Sequence, residues 1–263
     1  MQIYTHTLPG GAQLIGYLRD MTVEMPAFNT RPAILILPGG GYAWCSRREA
    51  DPVAMQFLQA GYNVFTLYYT CRSDETVPAL RWQPLIDAAG AILHIRRNAE
   101  QFGTDPAKIA ICGFSAGGHL ALSGAVLDIP GETAQQRPNA VILGYPVVTA
   151  GEFAHRGSFV RLAGSEDAAA QQEFTLEDQV NSDTPPVFVW HTMEDKTVPV
   201  ENTLLLLAAL RRAGVPCEAH LFEKGAHGTS ISTAEVDAAD PHRAHWVALC
   251  LEWLGETFGF KLS

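Results

Sequence analysis

Basic residues are scarce in this chain. Eighteen lysines and arginines face 28 aspartates and glutamates, for a formal net charge of −10. No basic run exceeds a pair, as in Arg96-Arg97 and Arg211-Arg212, and these pairs fall on expected helices as solvated faces. Nucleic acids and anionic membranes attract clustered Lys and Arg, so neither is an expected partner. Cysteine is equally uninformative as a scaffold: Cys45, Cys71, Cys112, Cys217 and Cys250 are odd in number, far apart and never in a Cys-x-x-Cys pair. That spacing argues against a disulfide framework or a zinc site; Cys112 and Cys250 lie in apolar runs and read as small core residues. No apolar run approaches the length of a membrane span, and Met1 to Gly10 lacks a charged segment followed by an apolar one, so a soluble, cytoplasmic protein is expected. Repeats and low-complexity stretches are missing too. What remains is ordinary globular composition, 47% apolar and 17% charged over 263 residues, enough for one large domain with a buried core.

Along the chain, apolar runs of strand length alternate with longer segments of helical period. The run Ala33 to Leu37 ends at Pro38-Gly39-Gly40-Gly41; a helix is expected over Glu49 to Ala60, and a strand over Asn63 to Tyr69. A helix from about Pro84 to Phe102 follows, with Pro84 in its first turn and Gly103 as its stop. After a turn at Asp105-Pro106 come a short buried strand over Lys108 to Cys112 and a helix over Ser115 to Leu127. Further strands are expected at Ala140 to Gly144, Val187 to His191 and Cys217 to Phe222. A helix over Pro199 to Ala213 is closed by Gly214, and a last one is capped by Asp240 and runs to about Phe258. Near-continuous apolar strands alternating with helices mean a mostly parallel sheet covered on both faces. Gln2 to Thr7 and Ala12 to Arg19 alternate like an antiparallel edge hairpin. Gly151 to Thr184 is polar and weakly periodic, an excursion that reads equally as a small lid or as plain connecting structure.

The sharpest chemical signal is Gly113-Phe114-Ser115-Ala116-Gly117. It fits Gly-x-Ser-x-Gly in the context that gives the motif meaning, after a strand and before a helix, where a sharp turn leaves a serine hydroxyl exposed at the carboxyl end of the sheet. A chance glycine-rich turn is the plain alternative. A serine hydroxyl needs a base, and the base needs an orienting acid. In this arrangement the chain order is serine, acid, histidine. Asp195 follows the strand ending at His191, and His227 follows the strand ending at Phe222, so both fall in loops on the same sheet edge. Glu194 competes for the acid role, but Asp195 lies nearer the start of the next helix. His119 and His191 read as hydrogen-bonded structural residues; His6, His94, His155, His220, His242 and His245 read as structural or surface residues. Acyl transfer also needs donors for a developing oxyanion. The Ala116 N–H at a helix start and the glycines of the loop from Pro38 to Tyr42 supply them. No Lys-Ser or Lys-Thr follows that loop, as a phosphate-binding loop would require.

These motifs resemble the α/β-hydrolase family of small esterases. The glycine loop is similar to the His-Gly-Gly-Gly loop of the hormone-sensitive-lipase-like branch. A closer likeness is to bacterial acetyl-xylan and sugar esterases, carried by Pro38 to Tyr42, Gly113 to Leu120, Pro185-Pro186 through His191 to Asp195, and Phe222 to Gly228. It covers nearly the whole chain from about residue 30. The resemblance implies an α/β-hydrolase fold with a mostly parallel sheet of about eight strands, helices on both faces and a small cap or none. It implies Ser115, Asp195 and His227 as catalytic triad, Gly39 or Gly40 with Ala116 as oxyanion hole, and neither metal nor organic cofactor. Pro38 stands where the family loop opens with His, which leaves open which glycine donates.

The expected substrate is a small ester with a short acyl chain, acetate on a carbohydrate among them. Tyr42 and Trp44 are expected substrate contacts, each with core or rim packing as the bland alternative, and for Trp82 packing is the better reading. Arg47, Arg48 and Arg72 fall in loops near the same edge, within reach of a polar leaving group, with a solvated side chain as the commoner alternative. Self-association into a homo-oligomer stays open. Two other readings stand beside the esterase: a peptidase or aryl-formamidase of the same fold, and a non-catalytic protein that binds a ligand or partner, for which three triad residues in order would be superfluous.

Overall fold

The computed structural model describes residues 1–74, 76–128 and 134–262. Eight strands form one sheet: β1 (Gln2–Thr7), β2 (Gln13–Leu18), β3 (Arg31–Leu37), β4 (Asn63–Tyr68), β5 (Thr104–Phe114), β6 (Ala140–Gly144), β7 (Val187–Thr192) and β8 (Cys217–Phe222), in the order β1-β2-β4-β3-β5-β6-β7-β8. β1 and β2 pair antiparallel, as their alternating sequence predicts, and β2 also runs antiparallel to β4. Every pairing from β4 through β8 is parallel. The parallel strands are covered on both faces, which is why β3 and β6 are buried at every position and read as unbroken apolar runs.

The helices are α1 (Asp51–Gln59), α2 (Gln83–Arg97), α3 (Ala99–Phe102), α4 (Ala116–Val126), α5 (Arg156–Ala163), α6 (Ala168–Gln171), α7 (Glu201–Ala213), α8 (Pro241–Ala244) and α9 (Trp246–Phe258). Alternate residues of each strand feed two cores. Leu35, Ile109 and Ile111 meet Ile92 of α2, Leu120 of α4, Phe159 of α5 and Leu206 of α7. Ile34, Cys112 and Phe188 meet Phe57 of α1 with Trp246 and Cys250 of α9. Cys112 and Cys250 are fully buried, and all five cysteines are free.

Three expected boundaries differ by more than two residues or by an interruption. The strand expected over Lys108 to Cys112 spans Thr104–Phe114. The Asp105-Pro106 turn is absorbed into an irregularity of the β3–β5 register, where the Asp105 carboxylate accepts the Ala107 N–H at 2.9 Å; proline is tolerated at such a bulge. The helix expected to reach Phe102 breaks at Asn98, whose side-chain amide donates to the His94 carbonyl at 2.8 Å, a local bond that competes with the helix. The C-terminal helix breaks at His245, although Asp240 caps its first turn by accepting the N–H groups of His242 and Arg243.

Candidate active site

β5 stops at Phe114 and α4 starts at Ala116, leaving one residue to reverse the chain. Ser115 does so at φ 54° and ψ −119°, a strained conformation that costs of order 1–3 kcal/mol and persists only where the surroundings impose it. Here they do. The Ser115 N–H donates to the Gly144 carbonyl at 3.0 Å, and its own carbonyl accepts from His119 at 3.0 Å and Val147 at 3.1 Å. The flanking glycines are spatial requirements. A Cβ on Gly113 would lie 2.0 Å from the Gly117 carbonyl oxygen, and one on Gly117 would lie 2.1 Å from that of Leu37.

Loops after β7 and β8 deliver two more side chains to the serine. The Ser115 Oγ lies 2.8 Å from His227 Nε2, and His227 Nδ1 lies 2.6 Å from Asp195 Oδ2. With Nδ1–H directed at the carboxylate, Nε2 is left as the acceptor for the serine hydroxyl. Asp195 is buried, and its Oδ1 accepts the N–H groups of Thr197 and Val198, each at 2.9 Å. Burial alone would raise this carboxyl, but hydrogen bonds from His191 and His227 and those backbone donors outweigh it and hold it well below the usual carboxylate range. Glu194 is excluded from the acid position: its carboxylate accepts the Gly225 N–H at 3.1 Å. His191 and His119 behave as structural residues. His191 is buried between Thr203 Oγ1 at 2.7 Å and the Val198 carbonyl at 3.0 Å. His119 Nδ1 accepts from the Tyr42 hydroxyl and Nε2–H donates to the Phe174 carbonyl, both at 2.8 Å.

Two expected site residues are corrected. The Gly39 N–H is already committed to Glu49 Oε2 at 2.7 Å, so it is not a free donor. Gly40 and Gly41 face the cavity beside Ser115, and neither N–H has a partner among the described residues. The Ala116 N–H opens α4 and has no acceptor within its helix. Tyr42, expected against substrate, is 1% exposed and locked to His119 with its ring edge-on to Tyr69. Its φ of 62° turns the side chain inward as the loop passes Gly40 and Gly41. Trp44 is the opposite case: 63% exposed and lining the cavity. Trp82 packs on Phe174 with ring centroids 4.8 Å apart. Arg72 ties loops together through the Val77 and Val160 carbonyls, whereas Arg48 lines the cavity.

That cavity, of about 340 Å³, also takes in His155 and Arg161 from the Gly151 to Thr184 excursion. The excursion is anchored by buried Phe159, Leu162 and Phe174 and forms one wall of the site. Arg161 is held by the carbonyls of Gly157 at 2.9 Å and Arg72 at 3.2 Å. His155 is pushed down by burial first and by the nearby His227 and Arg161. The sequence reading missed Glu49, Tyr145, His155 and Arg161. Tyr145 had a usable signal, since it directly follows β6 at the same sheet edge. Glu49, in the polar run Arg47-Arg48-Glu49, had none. Among the described residues no cluster of His, Cys, Asp or Glu is placed to hold a metal ion, and no helix is long and apolar enough to cross a membrane.

Comparison with known proteins agrees with this architecture. A family model described as the prolyl oligopeptidase family matches residues 91–260, and one described as BD-FAE matches residues 20–142. The chain is 40% identical over 235 residues to endo-1,4-beta-xylanase B of Butyrivibrio fibrisolvens, an alignment covering 84% of this chain and 35% of that protein. It is 30% identical over 222 residues to the acetylxylan esterase of Xylanibacter ruminicola, covering 81% of this chain and 44% of that one. The chain therefore spans less than half the length of these curated relatives. Among solved structures, the acetyl ester-xyloside bifunctional hydrolase of Caldicellulosiruptor lactoaceticus superposes with a TM-score of 0.82 at 34% identity, covering 97% of this chain and 90% of that one. Eight strands in this order, a serine at the β5–α4 turn and a family match over more than half its length leave one placement: the chain belongs to the prolyl oligopeptidase family of α/β hydrolases.

Proposed function

We propose that the protein is a serine carboxylesterase acting on small esters with short acyl chains, acetylated carbohydrates among them. The observation that carries this reading is the unbroken hydrogen-bond chain from the Ser115 hydroxyl through His227 to Asp195, at 2.8 and 2.6 Å. In this reading Ser115 Oγ attacks the acyl carbon as its proton passes to His227 Nε2. The N–H groups of Gly40 and Ala116 receive the negative charge that develops on the carbonyl oxygen. Asp195 keeps Nδ1–H oriented and stabilises the imidazolium. His227 then returns the proton to the leaving alcohol, and a water molecule repeats the sequence on the acyl-serine.

The wall of the cavity supports a sugar ester. Trp44 offers an exposed flat apolar face, while Arg48, Arg161 and His155 offer polar hydrogen atoms at the same opening. A sugar ring is likewise apolar on its C–H face and polar at its edge, and such sites pair one aromatic surface with a few placed donors. The acetylxylan esterase and acetyl ester hydrolase among the relatives point the same way.

Two measurements test the proposal. Ser115→Ala should lower hydrolysis of p-nitrophenyl acetate by on the order of 10⁶-fold, to background, and abolish labelling by a fluorophosphonate; unchanged labelling would refute the nucleophile. A panel of acetyl, butyryl and octanoyl esters, acetylated sugars, feruloyl esters and a formyl-amide should favour acetyl. A preference for octanoyl or for the amide would overturn the substrate class.

A further inference from the structure

Glu49 is 3% exposed, two residues before α1 begins at Asp51, and forms no ion pair among the described residues. A buried carboxylate without a cation is tolerated only when donors replace its lost water. Two do. Oε2 accepts the Gly39 N–H at 2.7 Å, and Oε1 accepts the Tyr145 hydroxyl at 2.6 Å. Burial pushes the carboxyl up, and these two bonds oppose the shift. One donor per oxygen is the pattern of an ionised group.

The donors belong to different parts of the site. Gly39 immediately precedes Gly40, which lines the cavity; the bond to Glu49 fixes the Pro38–Gly39 peptide, and the next peptide, which carries the Gly40 N–H, is held at the Gly39 carbonyl by the Ser46 N–H at 2.8 Å. Tyr145 follows β6, and its ring sits edge-on to His227 with centroids 4.9 Å apart. Its hydroxyl also accepts the Ser230 N–H at 3.0 Å, three residues beyond His227. The backbone is strained where this network touches it: Tyr145 has φ 37° and Ser230 φ 48°. Non-glycine residues hold such angles only where surrounding bonds over-determine them, at of order 1 kcal/mol or more each. Anchoring α1 would require neither bond.

We infer that Glu49 is a positioning residue which holds the oxyanion-binding loop and the histidine loop in one frame, so that its loss lowers turnover rather than substrate affinity. This rests on the esterase reading above. Glu49→Gln keeps the size and one acceptor but cannot accept from both donors as the carboxylate does. Tyr145→Phe cuts the second arm without changing ring packing.

The test measures kcat and KM for p-nitrophenyl acetate, and inhibition by a trifluoromethyl ketone, whose hydrated or serine-bound form mimics the tetrahedral state. Glu49→Gln should lower kcat about tenfold and Glu49→Ala about 100-fold, with KM within about threefold, because displaced donors act on the transition state. Affinity for the ketone should fall in proportion to kcat/KM, and Tyr145→Phe should show the same split at smaller size. Wild-type kcat and ketone affinity in a folded Glu49→Gln or Tyr145→Phe protein would overturn the inference. So would a loss confined to KM. If Glu49→Ala fails to fold, the two conservative variants decide. Failure of the wild-type protein itself to take a fluorophosphonate label would sink the esterase reading instead, and is told apart by that control.

Discussion

The floor of the site and its outer wall are built by different rules. The floor consists of Ser115, Asp195, Glu49 and Tyr145, all buried, with strained backbone at Ser115 and Tyr145 and a hydrogen bond on every side-chain oxygen of the four. The wall consists of Trp44, Arg48, His155 and Arg161, partly or wholly exposed and drawn from two distant stretches of chain. Reactivity depends on angles and distances, which only a rigid buried frame can hold. Selectivity depends on surface chemistry, which exposed side chains supply without disturbing that frame. Changes in the floor should therefore damage turnover, and changes in the wall should alter which ester binds.

The comparison is tested most severely by Asp195→Asn. It preserves shape but leaves the His227 ring free to present the wrong nitrogen, and kcat should fall about 10⁴-fold with little change in KM; steady-state kinetics with p-nitrophenyl acetate would show it. A smaller effect, on stability, tests whether the floor is rigid because its buried groups are held in one charge state. Burial holds His119 down at about 4, against 6.5 ordinarily. Between these pH values the unfolded chain binds the extra proton and the folded one does not, so stability rises with pH across this window and is lost on acidification. The group should contribute on the order of 3 kcal/mol of that change. Urea midpoints for His119→Asn should be lower overall but flatter between pH 4 and 6.5; an equal slope in both proteins would mean the Tyr42–His119–Phe174 chain is not what resists acid. The smallest effect belongs to the wall. Trp44→Ala should raise KM for acetylated sugars about three- to tenfold, the worth of one aromatic contact, with kcat nearly constant. A collapse of kcat instead would move Trp44 into the floor.

The fold and the three-residue hydrogen-bond chain were legible because they rest on local signals. β3, β6 and β8 end in loops that an unbroken or alternating run foretells, and the elbow glycines are dictated by space, since a Cβ on Gly113 would fall 2.0 Å from a backbone oxygen. Glu49 was not legible, because nothing in Arg47-Arg48-Glu49 separates a solvated charge from one folded inward beneath Gly39. Tyr42 and Trp44 show the limit most clearly. They are two residues apart in one loop, equally aromatic, yet one is interior and the other faces the cavity. The difference is set by the left-handed turn at Gly40 through Tyr42, a property of backbone geometry that residue type does not encode. His155 and Arg161 were hidden for a third reason: their excursion carries weak periodicity, and its placement over the sheet edge depends on tertiary contacts such as His119 with Phe174.

All eleven residues of α4 are buried, so the helix behind Ser115 has no face toward water. Such a rod has no low-energy way to fray. Its amides can meet solvent only when the whole molecule opens, whereas the cavity rim can breathe on its own. The alignment of Ser115 is thereby tied to global rather than local stability, and, on the proposed function, warming the protein toward its melting point should loosen substrate selection well before it disarms the serine.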